Sequence, residues 1–175
     1  MRRLRYQVAC SLDGFIAGLE DEFDWITPEP SFDFEALHAQ FEIILMGRRT
    51  YEIASSMGGF PGKHVIVASR SLSQEDHPDV EVVSVGLETR VHELREQTGR
   101  DIWLYGGGTL LSQLLTWNLV DTVEPAIIPI LLGGGVPLLA SQGVRRNLKL
   151  IGQTTYPSGM VLLKYEVQKS TAENR

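Results

Sequence analysis

Three short segments hold the residue types best suited to chemistry, and each follows an apolar run. The first is Asp101 to Leu111 (DIWLYGGGTLL), where strand formers lead into three consecutive glycines and then into the helical pattern Leu110, Leu111, Leu114, Leu115. Strand, tight turn and helix is the arrangement this predicts. Glycines at such a junction bring the backbone within touching distance of a ligand, and the helix beyond offers unpaired amide hydrogens and the positive end of its dipole. An anion such as a diphosphate fits there. A glycine-rich helix entry without a ligand fits the same residues, because Leu111 stands where a dinucleotide fingerprint has its third glycine and no Lys-Ser/Thr pair marks a P-loop. The other two segments are Gly47-Arg48-Arg49-Thr50, after Ile43-Ile44-Leu45-Met46, and Ser69-Arg70, after His64-Val65-Ile66-Val67-Ala68. Their fork-shaped guanidinium groups suit a phosphate monoester. Solvated surface arginines are the competing reading, but a basic pair at a helix N-terminus is unfavourable unless an anion is recruited.

One ligand would serve all three segments. A dinucleotide whose diphosphate lies on the glycine turn, and whose extra phosphate meets Arg48, Arg49 and Arg70, describes NADPH better than NADH.

The elements that must position these residues alternate in type. Arg5 to Cys10 reads as a strand, followed by a turn at Asp13-Gly14 and a short apolar return through Phe15-Ile16-Ala17. Residues 18 to 34 form a polar, acidic loop with Trp25-Ile26 in its middle, and an embedded tryptophan of that kind shapes a pocket. Phe34, Leu37 and Phe41 predict a short helix. A buried strand at 43–46, a helix to about Ser56, strands at 64–68 and 80–85, and an amphipathic helix around Val91 and Leu94, ended by Gly99, lead to the glycine turn. This alternation predicts a parallel sheet with right-handed crossovers. Beyond residue 117 the pattern changes: 120–128, 148–155 and 160–167 read as strands, the last two a hairpin through Pro157-Ser158-Gly159. Trp103 and Trp117 are expected to pack the sheet against the helix after the glycine turn, and Asp121 and Glu124 to be solvated.

The totals narrow the function classes. A chain of 175 residues with 43 % hydrophobic and 22 % charged residues suits one globular domain, expected over 1–168 with a flexible tail at 169–175. A net charge of -6 argues against a nucleic-acid surface, and no apolar run approaches the length of a bilayer span. The basic start runs into a segment too short and polar for a signal peptide, so a cytoplasmic location is expected. Cys10, the single cysteine, reads as a small buried apolar residue. His38, His64, His77 and His92 lack metal-ligand spacing, so no metal is expected.

Taken in order, Ser11-Leu12-Asp13-Gly14-Phe15-Ile16-Ala17, Asp24-Trp25-Ile26-Thr27, Leu45-Met46-Gly47-Arg48-Arg49-Thr50-Tyr51-Glu52, Ala68-Ser69-Arg70, Tyr105-Gly106-Gly107-Gly108 and Pro129-Ile130-Leu131-Leu132-Gly133 span nearly the whole chain. This order resembles the dihydrofolate reductase fold, and more closely the reductase domain of bacterial riboflavin biosynthesis and its stand-alone relatives. The resemblance implies a three-layer α/β/α fold with a mixed, mainly parallel central sheet closed by a C-terminal antiparallel hairpin. It also implies an NADPH-dependent reductase. By that resemblance Tyr105, Gly106, Gly107, Gly108, Thr109 and Leu110 hold the cofactor diphosphate. Gly47, Arg48, Arg49, Thr50, Ser69 and Arg70 hold its adenosine side, and Ile16 and Ala17 lie near the nicotinamide. Asp13 faces the substrate.

The departures bear on the substrate. The riboflavin enzymes carry basic residues after the Trp-Ile-Thr motif that grip a ribose phosphate, whereas residues 28 to 46 here hold Glu29, Asp33, Glu35 and Glu42 and no Lys or Arg. A phosphate would meet repulsion there. The expected reaction is hydride transfer to a C=N or C=O bond of a small, pterin- or pyrimidine-like heterocycle, with Asp13 orienting substrate or relaying a proton and Trp25 as a pocket wall. Asp13 could act as an acid near neutral pH only if burial raised its pKa. The alternative is a nucleotide-binding module without turnover. A homodimer is also expected, because Pro129 to Leu139 is too apolar for an exposed loop and the closing strands need cover on their outer face.

Overall fold

Alternation along the strands sets out the layers. In β1 (Leu4–Ser11) the side chains of Leu4 and Tyr6 enter one apolar cluster, and Arg5, between them, crosses to the other face and lies 4.7 Å above the Phe41 ring. The computed structural model describes residues 1–140 and 145–169. Along the chain β2 (Phe15–Ala17), α1 (Phe34–Ala39), β3 (Phe41–Gly47), α2 (Arg48–Ser56), β4 (His64–Ala68), β5 (Glu81–Val83) and α3 (Leu87–Glu96) follow. Then come β6 (Asp101–Gly106), α4 (Gly108–Thr116), β7 (Thr122–Ile128), β8 (Val136–Pro137), β9 (Leu148–Thr155) and β10 (Val161–Val167).

Eight strands form one sheet in the order β5-β4-β3-β6-β1-β7-β10-β9, and β2 pairs with β8 in a separate ribbon. From β5 to β7 neighbouring strands are parallel; β10 and β9 run antiparallel and close the sheet. On one face Ile43, Leu45, Ile66, Ile102 and Leu104 pack against Val91 and Leu94 of α3 and the leucines of α4. On the other, Ile44, Met46, Val65, Val67 and Trp103 pack against Leu37 of α1 and Ala54 of α2. The result is the three-layer α/β/α fold, mixed but mainly parallel, with its antiparallel hairpin at the C-terminal side. Among the described residues no helix is long and apolar enough to cross a membrane.

Several details depart from the sequence reading. Phe41 begins β3 rather than ending α1; a register irregularity between Phe41 and Ile43 turns its ring to the face opposite Ile43, where it stacks on Trp103 at 4.9 Å. Trp103 therefore packs in the layer of α1 and α2, not against α4, while Trp117 does join the α4 cluster. Helix α3 ends at Glu96, before Gly99, and the strand expected at 80–85 is paired only over β5. Residues 170–175, most of the expected tail, lie outside the described residues.

The edge of the sheet that holds the strand N-termini is closed by ion pairs. Arg5 meets both oxygens of Glu124 at 2.8 and 2.9 Å, with side-chain exposures of 7 % and 4 %. Burial pushes the Glu124 pKa up, but the bonds from Arg5 and Thr122 win and hold it below the usual carboxylate range. Arg95 likewise binds Asp121 at 2.9 Å, so neither Asp121 nor Glu124 is the solvated charge the sequence suggests. Removing one partner of such a pair strands the other charge in the interior. Arg5→Met is expected to lower the unfolding free energy by about 3 kcal/mol, and Arg5→Met combined with Glu124→Met by clearly less, in urea titrations.

Candidate active site

The opposite edge, where the parallel strands end, opens on a cavity of about 1510 Å³. Sheet order explains how the three chemistry-bearing segments meet there: β4, β3 and β6 are neighbours, so Ser69-Arg70, Gly47 to Thr50 and Gly106 to Leu110 emerge side by side. Every residue assigned to the cofactor from the sequence lines this one cavity: Ile16, Ala17, Gly47, Arg48, Arg49, Thr50, Ser69, Arg70, Tyr105, Gly106, Gly107, Gly108, Thr109 and Leu110.

Three helices start at its wall, and all start the same way. Gly47 caps α2, Gly86 caps α3 and Gly107 caps α4, none with a side-chain bond to the free amides. Helix α1, by contrast, is capped in the usual manner, Asp33 accepting from Ala36 N at 2.8 Å. The first turns of α2 and α4 contain no acidic residue, so nothing on those helices offsets the positive dipole end. The two glycines at the start of α4 have different reasons. A Cβ on Gly108 would lie 2.5 Å from the Pro137 carbonyl oxygen, so the β8 loop itself demands glycine. Gly107 has φ -109° and an added Cβ would meet only Thr50 Oγ1 at 3.9 Å, so its neighbours among the described residues leave room for a methyl group. The peptide between Gly106 and Gly107 is cis.

The arginines are not equivalent. Arg48 pairs with Glu52 one turn along α2 at 3.0 Å, and Arg49 reaches across to Asp21 of the acidic loop. Arg70 is exposed and enters no ion pair among the described residues.

The two residues assigned to catalysis stand elsewhere. Neither Asp13 nor Trp25 is among the residues lining the cavity. Asp13 accepts from Ser11 Oγ at 2.6 Å and from the backbone amides of Leu132 and Gly133 at 3.1 and 2.7 Å, which ties the β1–β2 turn to the loop after β7. The Ser11 bond, aided by those amides, brings its pKa down to about 2, so at neutral pH it is an acceptor and not a proton donor. Trp25 donates to the Glu22 carbonyl at 3.1 Å and packs against the cluster of Ala126, Ile128 and Met160, residues that themselves line the cavity.

Of the four acidic residues expected around the substrate, three are also committed, and Glu35 in the first turn of α1 makes no side-chain hydrogen bond or ion pair among the described residues. Glu42 bonds Arg2, Asp33 caps α1, and buried Glu29 accepts from Ser31 and from Ser158 N at 3.0 Å, holding the loop to the β9–β10 hairpin. Of these only Glu29 lines the cavity.

A family model described as the RibD C-terminal domain matches residues 2–162. The chain belongs to this family. It is 32 % identical to YyaP of Bacillus subtilis (strain 168), itself uncharacterised, over 94 % of each chain. It is similar to the crystal structure of a Shewanella sp. PV-4 protein whose name assigns it provisionally to riboflavin biosynthesis, with 27 % identity, a TM-score of 0.82, and 95 % and 99 % of the two chains covered. The fold recurs in the Thermotoga maritima diaminohydroxyphosphoribosylaminopyrimidine deaminase/5-amino-6-(5-phosphoribosylamino)uracil reductase, at 18 % identity and a TM-score of 0.74, this chain covering 57 % of that one.

Against this RibD-type frame, sequence reasoning missed part of the site. Gln7, His38, Trp103 and the start of α3 line the cavity, and only a glycine before a helix pattern, Gly86-Leu87, and a lone amide amid the apolar residues of β1 could have signalled them. His38 packs edge-on against Trp103 at 5.2 Å, and burial together with nearby Lys63 lowers its pKa, so the ring is neutral at neutral pH.

Glu29 provides a pH test of the loop clamp. Bonds from Ser158 and Ser31 lower its pKa from 4.5 to about 2, so its contribution is complete above pH 4.5 and is lost as the pH falls towards about 2. Melting curves across that window are expected to show a shallower pH dependence for Glu29→Gln than for the parent, and a lower midpoint for the variant at pH 7.

Proposed function

We propose that this RibD-family protein is an NADPH-dependent reductase acting on a small heterocyclic substrate. One observation carries the reading: three helix starts without side-chain caps converge, with Arg48, Arg49 and Arg70, on a single cavity at the ends of adjacent parallel strands. Helices α2 and α4 each present the equivalent of about half a positive charge to that cavity, while Glu88 in the first turn of α3 offsets part of that helix's dipole. Such a cradle suits a ligand carrying several phosphates. When bound, NADPH would supply the hydride. On this reading the amides of Gly107, Gly108 and Thr109 hold the diphosphate and Ser69 and Arg70 the extra phosphate. Gly47 to Thr50 flank the adenosine, and Ile16 and Ala17 back the nicotinamide and exclude water from it.

The substrate would be a C=N or C=O compound of pterin or pyrimidine type. Among the described residues of the 23–38 segment lining the cavity there is no Lys or Arg, so a terminal phosphate finds no counter-charge. A second reading, nucleotide binding without turnover, draws on the Asp13 carboxylate being held ionised and outside the cavity. We further read the chain as a homodimer: Leu131 is 68 % exposed, and Leu148, Leu150 and Ile151 of the edge strand β9 are 45 %, 48 % and 44 % exposed. Light scattering at micromolar concentration is expected to give twice the chain mass.

Calorimetric titration tests the cofactor. NADPH is expected to bind at least about tenfold more tightly than NADH, since a charge-assisted contact contributes about 1.5 to 3 kcal/mol. Arg70→Ala should erode this preference more than Arg48→Ala or Arg49→Ala, whose parent side chains already have partners. Gly107→Ala should keep its melting midpoint and lose NADPH affinity. Equal affinity for both dinucleotides in the parent would overturn the assignment. Stopped-flow oxidation of bound NADPH then decides turnover: a dihydropterin is expected to exceed the phosphoribosylamino-pyrimidine in kcat/KM, and no oxidation by either class would favour the binding module.

A further inference from the structure

Residues 20 to 24 put four carboxylates, Glu20, Asp21, Glu22 and Asp24, within five positions. The turn that carries them is held by its own bonds: Gly18 N donates to the Glu22 carbonyl and Glu20 N to Glu22 Oε2, both at 2.8 Å. Asp21 stands at φ 64°, a left-handed conformation uncommon for a side chain other than Asn, Asp or His. One ion pair leads from this turn to the body of the protein, Asp21 with Arg49 in the first turn of α2. Among the described residues no other hydrogen bond or ion pair runs from residues 18–24 to any residue outside 18–26. Both partners line the cavity, and the Arg49 side chain is 66 % exposed. Arg48 differs, because its partner Glu52 belongs to the same helix and exchanging it frees no other segment.

Two demands therefore meet on Arg49. Helix α2 starts without a side-chain cap or an acidic residue in its first turn, so an anion at that end of the cavity draws the guanidinium towards itself. The same guanidinium is the anchor of an acidic turn, and an exposed pair of this kind is weak enough to be displaced. We infer that Asp21 sets the polyanion affinity of the cavity by competing for Arg49, and that a ligand phosphate which takes Arg49 releases residues 18–24. Once Arg49 has changed partner, the turn holds four negative charges near a bound anion and keeps no bond to α2, so repulsion favours the released position. Anion binding and release of the turn are thereby linked, each favouring the other. This inference rests on the proposed cofactor reading only in giving the cavity a ligand that carries phosphate.

The test uses Asp21→Asn, which removes the charge, keeps the size and tolerates the left-handed backbone better than alanine would. The full chain is titrated by calorimetry with NADPH and, separately, with inorganic pyrophosphate at low salt. Affinity for each probe is expected to rise about three- to fivefold in Asp21→Asn, and the gain to shrink at about 1 M salt, where screening already weakens the parent pair. In an Arg49→Gln background the same substitution should change affinity by less than about 1.5-fold, because the competition has been removed. Hydrogen exchange over residues 18–24 of the parent, a measurement that needs no variant, should quicken on saturation with pyrophosphate. Unchanged or weaker binding by Asp21→Asn, an equal gain in the Arg49→Gln background, or parent exchange that slows or stays constant would each overturn the inference, and NADPH binding in the same titrations would leave the cofactor reading intact. Failure of NADPH to bind the parent or the variants, with pyrophosphate affinity still governed by Asp21, would instead overturn the cofactor reading alone. Both fall if neither probe binds.

Discussion

Parallel strand pairing is the constraint on which the rest of this molecule depends. Because β4, β3, β6 and β1 run the same way, their carbonyl ends share one edge, and each connection that leaves that edge must start a helix or a loop there. Helix starts leave amides without intrahelical partners. Elsewhere in the chain such amides are satisfied locally, as Asp33 does for α1. At the cavity edge glycine takes the cap position in α2, α3 and α4 and supplies no side-chain oxygen. The dipole ends of α2 and α4, whose first turns hold no acidic residue, are therefore uncompensated in one place, whereas Glu88 in the first turn of α3 offsets that helix in part.

Charge is divided between the two edges of the sheet accordingly. At the edge of the strand N-termini, Arg5, Glu124, Arg95 and Asp121 neutralise one another under low exposure, and their role is to close the structure. Around the cavity the arginines are exposed and weakly engaged, Arg70 most of all. Exposed ion pairs such as Arg48–Glu52 contribute little to stability and exchange partners at little cost. A buried pair cannot do so without stranding a charge. The same residue types thus serve rigidity at one end and stay open to new partners at the other, and solvent exposure makes the difference.

The acidic loop after β2 belongs to both functions. Three of its carboxylates form clamps and caps: Glu29 to the hairpin, Asp21 to Arg49, Asp33 to α1. What remains to face a ligand is an apolar wall, a neutral imidazole, an amide and the exposed carboxylate of Asp24. Those groups differ from the cationic grip that a phosphorylated substrate needs, which keeps family membership and substrate identity as separate questions.

By itself the sequence determined the fold class and the segments that line the cavity at the ends of β3, β4 and β6. Strand periodicity, glycines at strand-to-helix junctions and arginines beyond buried strands are local signals, carried by neighbouring residues, and each segment reported its own chemistry without needing its partners. Only the tertiary structure decided what depends on residues far apart in sequence. The place of Phe41 was decided by a register irregularity against β6, the layer of Trp103 by strand alternation, and the engagement of Asp13 by amides more than a hundred residues away. Whether a carboxylate faces substrate or fastens a loop, and whether a glutamine in a strand is solvated or stranded beside a cavity, is set by which distant donors reach it. Sequence spacing holds no record of that, because sheet order, not chain order, makes β3 the neighbour of β6 and β1 the neighbour of β7.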